Sequence, residues 1–223
     1  MPPKPPYADT PALRQAVIDA CLAMNASGIN QGTSGNISVR AEGAMLITPS
    51  GVPYAQMTPE MLVRMPLDGS PAAGGQRKPS TEWPFHLAIL AAKPQVHAVV
   101  HAHPVHCTAL AMNRMTIPAC HYMVAAFGGD DVPLADYALF GSRALSDNIL
   151  RALEDRSACL MANHGAVTTG DSLARALWRM EELETLAKGY AASLAIGRPA
   201  ILSTAEMADV AAAFSDYGLK DSR

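Results

Sequence analysis

The chain has no apolar run near the roughly 18 residues that a membrane span requires. Its first residues, Met1-Pro-Pro-Lys-Pro-Pro, lack the apolar core of a secretion signal. A short disordered lead over 1–8, a cytoplasmic location and no membrane partner are expected. Basic residues are not in excess: 17 Lys and Arg face 20 Asp and Glu, so the chain carries −3. A nucleic-acid partner is therefore not expected, while a local anion site stays open. No CxxC pair occurs among the four cysteines, and Cys21, Cys107, Cys120 and Cys159 each lie in an apolar stretch. They read as buried free thiols. Neither a GxxxxGK[ST] loop nor a dinucleotide fingerprint is present, so nucleotide chemistry is not indicated. There is no internal repeat and no long linker.

What remains is an ordinary globular composition, 49% apolar and 17% charged over 223 residues. Such a length suits a single domain over 1–223 that buries about 70% of its unfolded surface. Helix signals alternate with strand signals. Thr10-Pro11 opens a helix that Gly28 ends. Short strands are expected at 37–40, 45–48, 62–67, 96–101, 122–126 and 158–162, and helices at 81–92, 104–112, 142–153 and 171–195. Ser203-Thr-Ala-Glu206 is a capping box for a last helix. Several strands are too close in sequence for helical crossovers. The expected fold is an α/β three-layer sandwich with a mixed, mainly antiparallel sheet.

Seven histidines are present, five of them between His86 and His106. His101-Ala-His103 is the informative pair, because on an extended chain residues i and i+2 share a face. The apolar run 96–100 leads into it, which places the pair at the end of a buried strand. His164 follows another apolar strand, and burying it there requires a partner. Glu82 sits at a helix start. Capped by Ser80 or Thr81, it is explained as a first-turn acid without any function. Three histidines and a carboxylate also form an ordinary Zn²⁺ set. His86, His97, His106 and His121 are read as structural.

Three small, polar segments could hold an anion. They are Gly32-Thr-Ser-Gly-Asn36, Thr48-Pro-Ser-Gly51 and Ser80-Thr81. Glycines admit close backbone approach, hydroxyls donate, and a helix start favours negative charge.

With these residues in place, the chain resembles the class II aldolase/adducin family. The segments that carry the resemblance are GTSGNISVR (32–40), LITPSGVPY (46–54), KPSTEWPFH (78–86), HAVVHAHPVHCTAL (97–110), IPACHYMVAAFGG (117–129), YALFGSRAL (137–145) and NHG (163–165). They span most of the chain in order. The resemblance implies a homotetramer with active sites between subunits. It implies one Zn²⁺ per subunit on His101, His103, His164 and Glu82, with Fe²⁺, Co²⁺ or Mn²⁺ as substitutes. It implies that Glu82 also shuttles a proton. Thr33, Gly35, Asn36, Ser50, Gly51, Ser80 and Thr81 would line a substrate phosphate. Tyr122 would reach a neighbouring subunit's site as the donor to the aldehyde oxygen, and Tyr217 would stand near the aldehyde.

The implied activity is cleavage of a ketose 1-phosphate to dihydroxyacetone phosphate and an aldehyde, through a metal-stabilised enediolate. L-Fuculose 1-phosphate leads, followed by a deoxy- or methylthio-pentulose 1-phosphate. Family alternatives are a 4-epimerase, a sugar-acid phosphate decarboxylase, a methylthioribulose-phosphate dehydratase and a non-catalytic adducin-like protein. Epimerase members carry aspartate at Glu82, and adducin-type members lose the histidines. Asn163, where close members have a second histidine, is expected to face away from the metal.

Overall fold

The computed structural model describes residues 7–214. Among the described residues nine strands form: β1 Asn36–Ala41, β2 Ala44–Ile47, β3 Val63–Pro66, β4 Ala98–Ala102, β5 Ile117–Pro118, β6 Asp131–Val132, β7 Leu134–Ala135, β8 Ala158–Met161 and β9 Gly165–Gly170. Six helices accompany them: α1 Pro11–Ala26, α2 Trp83–Ala92, α3 Val105–Met112, α4 Arg143–Ala152, α5 Leu173–Ile196 and α6 Thr204–Phe214. Seven strands make one sheet in the order β3-β2-β1-β4-β9-β8-β7. Every pairing in it is antiparallel except β7 with β8. The three-layer, mainly antiparallel sandwich expected from the sequence is the one observed.

Side chains alternate across this sheet, and each face meets its own helices. Ile37, Val39, Leu46, Val100 and Ala166 pack against Val17, Cys21 and Met24 of α1 and Met180 and Leu183 of α5. Met45, Ile47, Val99, Cys159 and Val167 pack against Phe85 and Ile89 of α2 and Leu145 and Ile149 of α4. His101 follows the parity of Val99 and so belongs to the α2 face.

Helix starts behave as their sequences direct. Thr10 accepts the Leu13 amide at 3.1 Å, with proline at the first helical position. The Ser203–Glu206 box closes reciprocally, at 2.7 and 3.3 Å. Of the expected lead, residues 1–6 lie outside the described residues. Tyr7 is tied in: its carbonyl accepts from the Glu42 amide at 3.1 Å.

The segment expected as a strand at 122–126 is instead a 3-10 helix, Tyr122–Phe127. His121 Nδ1 accepts the Met123 amide at 3.2 Å and starts the turn, and Gly128, at φ 97°, ends it. A short apolar run does not reveal its own period, and this local cap decided the outcome. The strand β9 has no alternation to announce it, because all six of its residues are buried.

Burial pushes the thiols of Cys21 and Cys159 up to about 12 and raises Cys107 as well. These three are expected to stay unreactive toward a thiol reagent at pH 8 in the folded protein and to react on denaturation. More than one reactive thiol per native chain would contradict this packing.

Candidate functional site

The sheet register builds the site. Asn36 of β1 stands directly opposite His101 of β4. His103 lies two residues further on, beyond the strand end, and returns to the same face as the i, i+2 spacing requires. His164 sits in the tight connection between β8 and β9, where its amide bonds to Met161 O at 3.0 Å. The imidazole centroids lie 4.9–5.0 Å apart. One ring nitrogen from each of His101, His103 and His164 falls within 4.8 Å of the others.

Glu82 completes the group. It occupies the cap position of α2, yet its side chain caps nothing. That removes the reading of Glu82 as a helix-start acid. Ser80 Oγ does accept the Glu82 amide at 3.3 Å, which shapes the turn and releases the carboxylate toward the histidines. Glu82 Oε2 lies 3.1 Å from His101 Nε2, and Oε1 lies 3.2 Å from His164 Nε2. The carboxylate is 6% exposed.

Proton arithmetic shows what this group fits. His101 Nδ1 lies 2.9 Å from Ala166 O. A carbonyl only accepts, so Nδ1 carries the proton and a neutral His101 turns a bare Nε2 into the site. That Nε2 faces His103 Nε2 at 3.1 Å and the carboxylate at the same distance. Glu82 Oε1 is buried and, among the described residues, meets only His164 Nε2, at 3.2 Å. Lone pairs therefore converge with too few protons between them. A divalent cation resolves such a donor set, and nitrogen with carboxylate oxygen is the pattern that zinc takes.

Where no ion is bound, protons on the histidines take its place. Burial pushes the Glu82 carboxyl up, but His101 and His164 outweigh it and hold it well below the usual range. Burial pulls His101 down, and the Glu82 carboxylate outweighs that and raises it. Burial, with His101 and His164 adding repulsion, lowers His103 to about 4.

A cleft of about 390 Å³ opens in front of Glu82, His103 and His164. Its lining also includes Thr33, Gly35, Asn36, Ser50, Gly51, Ser80 and Thr81, which come from all three of the small polar segments. An isolated bridge between Pro49 and Pro79 docks two of them. The Asn36 amide is already engaged: Nδ2 donates to Glu82 Oε2 at 2.9 Å, and Oδ1 faces His86. A larger hollow of about 690 Å³ lies at the far end of the sheet, around Val96, Ser157 and Gly170, and contains no histidine.

Two glycines are required for close approach. A Cβ at Gly35 would meet His101 O at 2.8 Å, and one at Gly165 would meet Ala102 O at 2.5 Å and His103 Cδ2 at 2.7 Å. Gly165→Ala is expected to displace His103, with about 1–3 kcal/mol of destabilisation from overpacking and weaker metal binding. Thermal melts and a zinc titration check this; wild-type values in both would contradict it.

Not every expected residue joins the cleft. Asn163 does not face away: at φ 54° it lines the cleft beside His164. Tyr122 is 47% exposed, stacks on His121 and lies outside its own chain's cleft. Tyr217 lies outside the described residues. His106 pairs with Glu184 at 2.7 Å, and His86 is fully buried. Three aromatics of the cleft had no individual signal in the sequence. Tyr54 holds Gly35 O at 2.5 Å, while Tyr137 and Phe140 form an exposed apolar lip.

Three histidines near strand ends and a carboxylate at a helix start gather beside small polar segments, a cluster compatible with a metal site. The family model for the Class II Aldolase and Adducin N-terminal domain matches residues 15–191, and the chain belongs to that family. The chain is 45% identical over 209 residues to the L-fuculose phosphate aldolase of Escherichia coli K12, covering 93% of this chain and 96% of that one. It is 46% identical over 207 residues to a 5-methylthioribulose-1-phosphate/5-deoxyribulose-1-phosphate aldolase of Rhodospirillum rubrum, covering 93% of each. A solved L-fuculose 1-phosphate aldolase superposes with a TM-score of 0.89 at 35% identity, covering 92% of this chain and 97% of that one.

Proposed function

We propose that the chain is a single-domain, metal-dependent class II aldolase. It cleaves a ketose 1-phosphate to dihydroxyacetone phosphate and an aldehyde. The observation that carries the reading is one cleft lined by Glu82, His103, His164 and the small polar segments, with His101 buried in contact with them. Relatives named for L-fuculose phosphate and for 5-methylthioribulose 1-phosphate support the substrate class.

In this reading Thr33, Gly35, Ser50, Gly51, Ser80 and Thr81 bind the phosphate through backbone N–H groups and hydroxyls. Anchoring the phosphate fixes the reacting carbons against the histidine side of the cleft. His101, His103, His164 and Glu82 would hold a divalent ion, Zn²⁺ by its donor set. When bound, it supplies Lewis-acid stabilisation of the negative charge that develops on the ketone oxygen. In cleavage the C4 hydroxyl loses its proton, and the C3–C4 bond breaks with its electrons left on C3. C3 then takes up a proton. Glu82 is the carboxylate in reach and carries that proton. Tyr122 from a neighbouring copy exchanges the proton at the aldehyde oxygen, and the Tyr137–Phe140 lip receives an apolar aldehyde end. The homotetramer with sites between subunits rests on the family resemblance, and Tyr122, which does not line its own chain's cleft, is compatible with it. Unpaired thiols support a reducing cytoplasm.

The test is a coupled assay for dihydroxyacetone phosphate. L-Fuculose 1-phosphate, L-rhamnulose 1-phosphate and 5-methylthioribulose 1-phosphate are supplied in parallel, with and without chelator. Chelator-sensitive release is expected, and the best substrate names the aldehyde. No release from any of them, with metal bound, would move the assignment to an epimerase, decarboxylase or dehydratase on the same site.

A further inference from the structure

Behind the cleft, four buried polar side chains stand in a row on the α2 face of the sheet. They are Ser38 and Asn36 of β1, His86 of α2, and Glu82. Ser38 and His86 are 0% exposed, and Asn36 is 4%. Ser38 Oγ lies 2.8 Å from His86 Nδ1, and His86 Nε2 lies 2.5 Å from Asn36 Oδ1. Asn36 Nδ2 lies 2.9 Å from Glu82 Oε2.

The direction of this chain follows from donor counting. A carboxylate accepts only, so the Asn36 atom facing Glu82 is the NH₂ nitrogen and the atom facing His86 is the carbonyl oxygen. A carbonyl oxygen also accepts only, so His86 Nε2 carries a proton. His86 is fully buried, and burial disfavours an imidazolium, so the ring is neutral and Nδ1 is bare. Ser38 therefore donates to Nδ1. Each link fixes the next, and the last one holds a lone pair of Glu82.

The packing around this row does not itself call for polar groups. The surrounding cluster is apolar, and His86 stacks on Phe85 at 4.5 Å. Replacing a buried hydrogen-bonded pair by apolar groups of similar shape is close to neutral. What the row does constrain is the orientation of Glu82, the one carboxylate among the described residues that line the cleft. We infer that His86 is a positioning residue for Glu82, acting through Asn36, with Ser38 setting its tautomer. The inference rests on the proton-carrying role proposed above for Glu82. Partners of this kind outside a site change affinity or activity by about 10- to 100-fold.

Two measurements test it. Long-range ¹H–¹⁵N NMR on the wild-type protein reads the His86 tautomer, with the resonance assigned by its loss in His86→Gln. A neutral Nε2–H imidazole is expected, both metal-stripped and zinc-loaded. An Nδ1–H form or an imidazolium would overturn the inference, and this readout stands even if the wild type releases no dihydroxyacetone phosphate. Kinetics supply the second arm. Ser38→Ala and His86→Phe, assayed at saturating zinc, are expected to lower kcat about 10- to 100-fold, with KM unchanged. His86→Gln keeps a side-chain N–H donor and is expected to recover most of kcat. Wild-type kcat in folded, zinc-loaded Ser38→Ala or His86→Phe would overturn the inference. If His86→Phe fails to fold, Ser38→Ala, which removes only a hydroxyl, decides.

Discussion

Replacing Glu82 by glutamine is expected to slow release of dihydroxyacetone phosphate by about 10²- to 10⁴-fold, the usual contribution of a positioned acid–base group. The substitution is close to isosteric. The amide oxygen can still accept from Asn36 Nδ2, which now bonds Glu82 at 2.9 Å, so the turn before α2 keeps its shape. What is lost is the negative charge and the ability to carry a proton. The three imidazoles remain within 4.8 Å of one another, so some metal stays bound. Turnover and metal content measured on the same sample separate the two roles of this residue. Near wild-type turnover in Glu82→Gln would remove the proton-carrying role.

His164→Ala is expected to remove most of the metal. Zinc binding by a four-ligand protein site releases roughly 10–16 kcal/mol, so one ligand is worth roughly 3 kcal/mol, about a hundredfold in Kd. His164 is the suitable ligand to delete. Its side chain is 16% exposed and sits in a connection, so truncation leaves no core cavity. His101, by contrast, is 0% exposed and bonded to Ala166, and its removal would disturb the β4–β9 pairing as well. Competition with a chromophoric chelator gives the affinity. An unchanged Kd in His164→Ala would refute its place in the site.

The parts of the site that depend on local spacing were legible in the sequence. His101 and His103 share a face because a strand has period two, and three Gly- and Ser-rich segments announced a polar wall. Capping chemistry placed the starts of α1 and α6. What depends on register and docking was not legible. No local pattern says that Asn36 falls opposite His101, and that pairing diverts its amide to Glu82 instead of leaving it free on the polar wall. His86 reads as a core histidine from sequence, and only the docking of α2 on β1 connects it to the carboxylate. Glu82 itself was ambiguous, because a helix-start acid and a ligand look alike until the side chain is seen turned away from the helix. The 122–126 stretch and β9 are short apolar runs whose period cannot be counted, so caps and neighbours decide them. Tyr137 and Phe140 came only with a segment of family resemblance, since an apolar lip on a connection has no periodic signature.

The central claim is that one divalent ion, held by His101, His103, His164 and Glu82, is required for carbon–carbon cleavage in this cleft. Titrating metal-stripped wild-type protein with Zn²⁺ while following dihydroxyacetone phosphate release from L-fuculose 1-phosphate tests it directly. The account predicts activity that rises from near zero and saturates at one ion per chain. Full release from the metal-stripped protein, unchanged by added zinc, would contradict it.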